Sequence, residues 1–127
     1  MAEITPEKLG QRLYNVGLLE PREIDAIFAD LGSRDVSLSE FVGAALRSGK
    51  VTNWQIERAK EGHKVGYFYG PYKVMYLVGA GTFARVYRAT NVETGEMKAV
   101  KVLRSRYTND VSTTEQFLRE EIGRAHV

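Results

Sequence analysis

The 127-residue sequence contains no cysteine, and this absence excludes disulfide bonds and thiolate metal sites. An excess of one charge is also lacking, because 18 Lys and Arg residues face 16 Asp and Glu residues, for a formal net charge of +2. So small an excess does not indicate a polyanionic partner. We therefore expect no nucleic-acid partner and no binding to an anionic membrane.

Long apolar runs are absent as well. The longest candidate, residues 74–84, is interrupted by glycine and falls far short of the roughly 20 residues that span a bilayer. Residues 1–8 are polar and charged, unlike a signal peptide. These features predict a cytoplasmic chain without a membrane span of its own, while a membrane anchor encoded downstream stays open.

Residues 1–66 carry start and stop signals for four short helices. Proline at positions 6 and 21 suits the first turn of a helix, where its missing N–H does no harm. The pairs Ser37 with Glu40 and Thr52 with Gln55 form capping boxes. A glycine that can end each helix follows it: Gly17, Gly32, Gly49 and Gly62. The short connections predict a small all-α module of antiparallel neighbours.

From about residue 67 the apolar pattern alternates as in strands. Residues 72–78, 85–90 and 97–103 are predicted to be three strands, and Thr94 with Gly95 suits the hairpin between the last two. A further capping box, Ser112 with Glu115, predicts a helix that carries Phe117 and Leu118. The order therefore predicts an α+β chain, with an antiparallel sheet following the helices.

A glycine-rich turn at residues 77–86 joins the first two predicted strands. Glycine allows a backbone to approach a phosphate closely, and backbone N–H groups in such a turn can face an anion. A tight hairpin without any ligand is the alternative. A dinucleotide-binding fold requires a helix after the glycines, but Arg85 to Ala89 alternates like a strand. A P-loop is excluded because no Gly-Lys-Ser/Thr follows at the required spacing.

The third predicted strand contains a lysine that is flanked by valines. On a strand, Ala99 and Lys101 share one face, and Val100 and Val102 share the other. A small residue beside a lysine would let an adenine lie close while the ammonium reaches its phosphates. Simple surface exposure of Lys101 is the alternative, although a solvated edge would not need the two valines.

Together these elements resemble bacterial Hanks-type serine/threonine protein kinases. The run from Lys98 to Lys101 resembles the V-A-I-K signature, and the glycine-rich turn resembles the family's phosphate loop, with Ala84 in place of its third glycine. Glu120 resembles the helix glutamate that pairs with the strand lysine, with Glu115 and Glu121 as rival partners. The resemblance covers about fifty residues, 72–120.

The resemblance implies that residues 67–121 are an incomplete kinase N-lobe, a sheet followed by the start of helix C. It implies ATP as cofactor, with Mg²⁺ in the full-length parent. Val86 and Ala99 would contact the adenine, the loop would cover the phosphates, and Lys101 would hold the α- and β-phosphates. The implied nucleotide site is Leu77, Gly79, Ala80, Gly81, Thr82, Phe83, Ala84, Val86, Ala99, Lys101 and Glu120.

The sequence lacks the H-R-D and D-F-G segments that supply a kinase's base and metal ligands. We therefore expect a fragment that is inactive alone, whose parent binds its protein substrate through a missing C-lobe. Residues 122–127 match the translation of a sequencing-library adapter and are expected to be a non-native tail, with a genuine frayed terminus as the alternative.

The helical module, residues 1–66, resembles the segment before the catalytic domain in some large bacterial kinases. A docking or regulatory role, with a protein partner, is the hypothesis that follows. The alternative for the whole chain is a non-catalytic helical interaction module with a vestigial kinase-like sheet.

Overall fold

The computed structural model describes residues 3–104 together with the backbone of residues 117–118. The chain divides into two units, Met1–Val65 and Gly66–Val127, which we call the helical unit and the sheet unit. Among the described residues, no helix has both the length and the apolar character that crossing a membrane requires.

The described part of the helical unit contains four helices. They are α1 (Pro6–Asn15), α2 (Pro21–Leu31), α3 (Leu38–Arg47) and α4 (Asn53–Lys60). Helix α2 packs against α3, and α1 packs against both α3 and α4. The four predicted helices are thus confirmed, with ends that differ from the expected ones by a few residues at most.

Local capping explains why the helices begin where they do. The Thr5 hydroxyl accepts a hydrogen bond from the Lys8 N–H at 3.1 Å. Both capping boxes are complete, because Ser37 and Glu40 bond each other's backbone, as do Thr52 and Gln55. The glycines that follow the helices have positive φ: Gly17, Gly32, Gly49 and Gly62.

The helices bury their apolar stripes in one core. Leu9 and Leu13 of α1, Phe41 of α3 and Ile56 of α4 are fully buried. The Phe28 ring of α2 lies 5.0 Å from the Phe41 ring, centroid to centroid, in a tilted arrangement. Aromatic pairs of this kind add stability beyond the area that they bury.

The sheet unit contains an antiparallel sheet in which neighbours along the chain pair with each other. Its strands are β1 (Phe68–Tyr69), β2 (Tyr72–Ala80), β3 (Ala84–Asn91), β4 (Met97–Leu103) and β5 (Phe117–Leu118). The three long strands confirm the predicted ones. The sequence did not indicate β1, since a two-residue strand has no detectable alternation.

The structure describes two residues of the helix that was predicted to begin at Ser112, and at both of them the prediction is wrong. Phe117 and Leu118 form β5, in which they pair with Val102 and Lys101 of β4. A capping box stabilises only a first turn, and a short helix is marginal without packing. The edge of β4 instead offers unpaired backbone groups that an apolar pair can satisfy as a strand. The remaining residues of that predicted helix lie outside the described ones.

One face of the sheet is buried. It carries five buried side chains: Val74, Tyr87, Ala89, Val100 and Val102. Tyr69 of β1 stacks on Tyr87, with ring centroids 6.1 Å apart. Side chains along each strand alternate between the two faces of the sheet. The residues of the candidate site that pair in register therefore lie on the face opposite the buried one.

Candidate functional site

The strand register brings three of the predicted site residues into one row across the sheet. Gly79 pairs with Val86, and Val86 pairs with Lys101. Directly paired residues of antiparallel strands project their side chains to the same face. Strands lie about 4.8 Å apart, so the row spans roughly 10 Å from β2 to β4. Val86 and Lys101 therefore occupy adjacent positions on the face opposite the buried one.

A second row lies next to the first on the same face. Ala99 pairs with Arg88, and Arg88 pairs with Tyr76. Ala99 and Lys101 are two residues apart on β4 and so share this face, as expected. Ala99 is buried, at 7% exposure, whereas Tyr76 is 47% exposed. We call this surface, which carries Tyr76, Arg88, Ala99, Val86 and Lys101, the open face.

The valines beside Lys101 determine which way the lysine faces. Val100 and Val102 are buried on the opposite face, at 0% and 2% exposure. A slip of β4 by one residue would expose both valines and place the Lys101 ammonium on the buried face. Burying an ammonium ion without a partner is strongly unfavourable. The burial of Val100 and Val102 therefore fixes the Lys101 side chain on the open face.

The glycine-rich loop is a tight connection between β2 and β3. The Gly81 N–H donates to the Ala84 carbonyl at 2.9 Å, which leaves Thr82 and Phe83 at the tip. The Phe83 side chain is 63% exposed, and Ala80, Gly81 and Thr82 are also exposed. Ala84 begins β3 and is half-buried. The loop thus stands at the end of the sheet with its tip in solvent.

Neither of the two loop glycines is needed for the conformation of this chain. Gly79 and Gly81 are not among the glycines with positive φ. A Cβ built on Gly79 would meet nothing within 4 Å, and one built on Gly81 would lie 3.8 Å from the Ala84 carbonyl oxygen. A glycine inside a strand costs stability, and it often marks a place where a ligand approaches the backbone closely.

Leu77, which was predicted to be part of the site, is not brought together with the others. Leu77 pairs with Tyr87, so its side chain lies on the same face of the sheet as the buried Tyr87, although Leu77 itself is 39% exposed. The register shifts between Leu77 and Gly79, so Val78 is the extra residue of a bulge and lies with Gly79 opposite Val86. Val78, 58% exposed, is the apolar residue that our sequence analysis missed.

A signal for Val78 was present in the sequence. A glycine inside a strand pattern indicates a possible bulge, and a bulge moves the following side chains by one position. Strict alternation along β2, which we assumed, cannot show this shift. Leu77 belonged to the site that the resemblance implied.

Positive charge gathers around the open face and the loop. Arg88 and Lys101 belong to the open face, and the Arg104 Nε–H donates to the Gly81 carbonyl at 2.9 Å. Charge-assisted hydrogen bonds from Lys and Arg are the strong ones for phosphate groups. Within the described residues, no group of three His, Asp or Glu side chains could hold a metal ion. The described surface is therefore suited to an anion.

Glu120 lies outside the described residues, as do its rivals Glu115 and Glu121. The pairing of Lys101 with Glu120 consequently stays a prediction. The same holds for the tail that was predicted at residues 122–127.

The helical unit has a separate cleft between α2 and α3, with a volume of about 400 Å³. Two ion pairs span it, Arg47 with Asp30 at 3.5 Å and Lys50 with Glu23 at 3.8 Å. The cleft is lined by Glu23, Ala26, Ile27, Asp30, Ala44, Arg47, Ser48 and Lys50. Exposed ion pairs of this kind contribute little to stability, so a ligand displaces them at small cost.

Comparison with known proteins finds local similarity to plant protein kinases. The CBL-interacting serine/threonine-protein kinase 20 of Arabidopsis thaliana is 43% identical over 49 residues, which are 39% of this chain and 11% of that protein. The CBL-interacting protein kinase 30 of Oryza sativa subsp. japonica is 45% identical over 51 residues, 40% of this chain and 11% of that protein. The CBL-interacting serine/threonine-protein kinase 15 of Arabidopsis thaliana is 43% identical over 49 residues.

The matched segment spans about a tenth of the length of these relatives. No model of a known protein family matches the chain, and no solved structure matches it either. The relatives are plant proteins, so they lend no support to the bacterial origin that the sequence suggested. The α+β architecture is compatible with a kinase N-lobe. Over 39–40% of its length, this chain is therefore similar to serine/threonine protein kinases.

Proposed function

We propose that the sheet unit is the ATP-binding part of the N-lobe of a serine/threonine protein kinase. The observation that carries the proposal is the pair of loop glycines whose presence the fold does not explain. An added Cβ would meet nothing at Gly79 and only an ordinary contact at Gly81, and both stand at the end of a face that carries Lys101. Glycine at these positions is accounted for when a phosphate group must approach the backbone.

The side chains of the open face fit the parts of ATP. Ala99 is small and buried and lies diagonally across from Val86, and the exposed Val78 follows on the other side of Val86, so the three line one face for a flat base. The Lys101 ammonium, which lies in the same row as Val86 and Gly79, would hold the phosphates at the loop end. When bound, ATP supplies the phosphoryl group, and these residues only bind and orient it.

The rest of the kinase reaction is proposed for the whole protein, since this chain matches about a tenth of its relatives' length. Mg²⁺, a protein Ser or Thr substrate and a cytoplasmic location belong to that proposal. Pairing of Glu120 with Lys101 belongs to it as well, and so does a relationship to bacterial Hanks-type members. A protein partner for the helical unit stays a hypothesis, and the α2–α3 cleft is the surface at which to test it.

Titration of the ¹⁵N-labelled chain with MgATP, followed by amide chemical shifts, tests the proposal at millimolar ligand. We expect saturable shifts at Gly79, Gly81, Val86 and Ala99 and none in the α2–α3 cleft, because only the open face has the phosphate-facing glycines. Lys101→Met should weaken binding about tenfold or more, since it removes a charge-assisted hydrogen bond.

The control is Lys64→Met, which removes the same charge from an exposed position of the helical unit. It should leave the MgATP affinity unchanged. Absence of saturable shifts on the open face, or equal losses in the two lysine variants, would refute the proposal.

A further inference from the structure

Arg104, the residue directly after β4, makes two hydrogen bonds to the glycine-rich loop. Its backbone N–H donates to the Phe83 carbonyl at 2.8 Å and extends the pairing of β3 with β4. Its Nε–H donates to the Gly81 carbonyl at 2.9 Å. The arginine is half-buried and thus links the end of β4 to a loop that is otherwise in solvent. The sequence indicates no role for this residue.

The second hydrogen bond orients one particular peptide group. The carbonyl of Gly81 and the N–H of Thr82 belong to the same planar trans peptide and point in opposite directions. A carbonyl held toward Arg104 therefore directs the Thr82 N–H away from it. Among the described residues, the Thr82 N–H has no hydrogen-bond partner, so it is available as a donor.

Because residue 81 is glycine, the hydrogen bond from Arg104 restricts a peptide that could otherwise rotate freely. The backbone at Gly81 carries no side chain and can rotate its peptide with little steric resistance. A rotated peptide would turn the Gly81 carbonyl toward a bound anion, and two negative groups would then repel each other. A donor fixed on the carbonyl side favours the orientation in which the N–H, and not the oxygen, faces the anion.

We propose that Arg104 is a positioning residue for the nucleotide phosphates. Its Nε–H holds the Gly81 peptide so that the Thr82 N–H is presented to a phosphate oxygen. Arg104 acts through the loop and need not contact the ligand. This inference rests on the proposed function, and it adds a residue and a mechanism that the function alone does not require.

Two substitutions separate the hydrogen bond from the charge. In Arg104→Gln, the amide nitrogen occupies the ε position of the side chain, so a donor is retained without the charge. In Arg104→Lys, a methylene occupies that position, so the charge is retained while the donors move one atom farther along the side chain. Arg104→Ala removes both. All three variants keep the backbone hydrogen bond to the Phe83 carbonyl, because it involves only the main chain.

The experiment measures dissociation constants of MgATP and adenosine for the 127-residue chain by amide chemical shifts, at about 0.15 M salt to screen exposed charges. Losing one hydrogen bond of this kind should weaken MgATP about fivefold in the Ala and Lys variants. The Gln variant should stay within about twofold of the wild type. Adenosine has no phosphate, so its affinity should be the same in all four proteins.

The unliganded spectra give a second readout. The Thr82 amide signal should shift in the Ala and Lys variants and stay near its wild-type position in the Gln variant, because that signal reports the Gly81–Thr82 peptide. Signals of the helical unit should not change.

The outcomes distinguish the two proposals. If wild-type chain binds neither ligand on the open face, the proposed function fails and the role of Arg104 fails with it. If wild type binds MgATP but the Lys variant binds it equally well, charge alone matters and the positioning role is refuted. Equal weakening of MgATP and adenosine would also refute it, because the effect would then be a general loss of structure.

Discussion

Substitution of the loop glycines by alanine should weaken nucleotide binding without lowering the stability of the fold. At most positions a change that weakens ligand binding also risks weakening the fold. Gly79 and Gly81 are different, because neither has a positive φ and an added methyl group meets only open space or an ordinary contact. We therefore expect Gly79→Ala and Gly81→Ala to lose nucleotide binding without losing stability.

The magnitudes follow from the backbone. Replacing Gly by Ala at a compatible conformation stabilises a protein by about 0.4–1 kcal/mol, because the unfolded chain loses freedom. Gly95, in the β3–β4 hairpin, has φ of +80° and also has nothing within 4 Å of an added Cβ. Its replacement should cost about 1–2 kcal/mol through the left-handed backbone alone. The loop variants and the hairpin variant should thus differ by about 2 kcal/mol in unfolding free energy.

The assay combines urea unfolding with MgATP titration of each variant. Amide signals of Ala89 and Val100, inside β3 and β4, report the stability of the sheet unit by itself. The loop variants should unfold at the same or higher urea concentration than wild type and bind MgATP at least about tenfold more weakly, because a methyl group occupies the phosphate position. Gly95→Ala should unfold earlier, with the MgATP affinity of its folded form unchanged.

Two results would contradict this reasoning. Loop variants that unfold earlier than Gly95→Ala would show that the glycines serve the fold. Loop variants with wild-type MgATP affinity would show that no ligand approaches the glycines closely, and the main support of the proposed function would be gone.

Three further predictions concern the helical unit. Phe41→Ala should cost about 3–5 kcal/mol, since the ring is fully buried, and Trp54 fluorescence should show that α4 unfolds with the rest of the unit. Ser37→Ala should cost about 1 kcal/mol by removing the cap of α3, measured by urea unfolding; an unchanged midpoint would contradict the capping role. Hydrogen bonds from the Ser37 N–H and hydroxyl hold the pKa of Glu40 below its ordinary value. This contribution to stability is complete above about pH 4.3, the ordinary glutamate value, and is lost as the pH falls through the lowered pKa. Circular dichroism should show a smaller acid loss in Glu40→Gln.

Much of the fold was predictable because its determinants are local. Thr5, Ser37 and Thr52 start helices through hydrogen bonds to groups three residues away, so their effect is visible in sequence. The three long strands were predictable for a related reason. Their apolar residues alternate because one face is buried and the other is not.

Sequence expectation and structure differ where partners distant in sequence compete with local preference. At Phe117 and Leu118 the edge of β4 supplies backbone partners, and a strand forms where local signals favoured a helix. At Leu77 the register shift between Val74 and Tyr76, which precedes it in β2, sets the face of the side chain, and the pairing with Tyr87 is what reveals it. Neither Val102 nor Tyr87 stands close enough in sequence to reveal these contacts in advance.

The sequence by itself determined the four helices to within a few residues, the three long strands, the shared face of Ala99 and Lys101, and the similarity of one segment to protein kinases. These depend on side-chain period, capping and residue identity, which are properties of neighbouring residues. Tertiary structure alone decided that Val78 accompanies Gly79, that neither loop glycine is crowded, and that Arg104 reaches the Gly81 carbonyl. Each of those features depends on which strands pair and in what register, and pairing is settled by backbone hydrogen bonds between residues far apart in the chain.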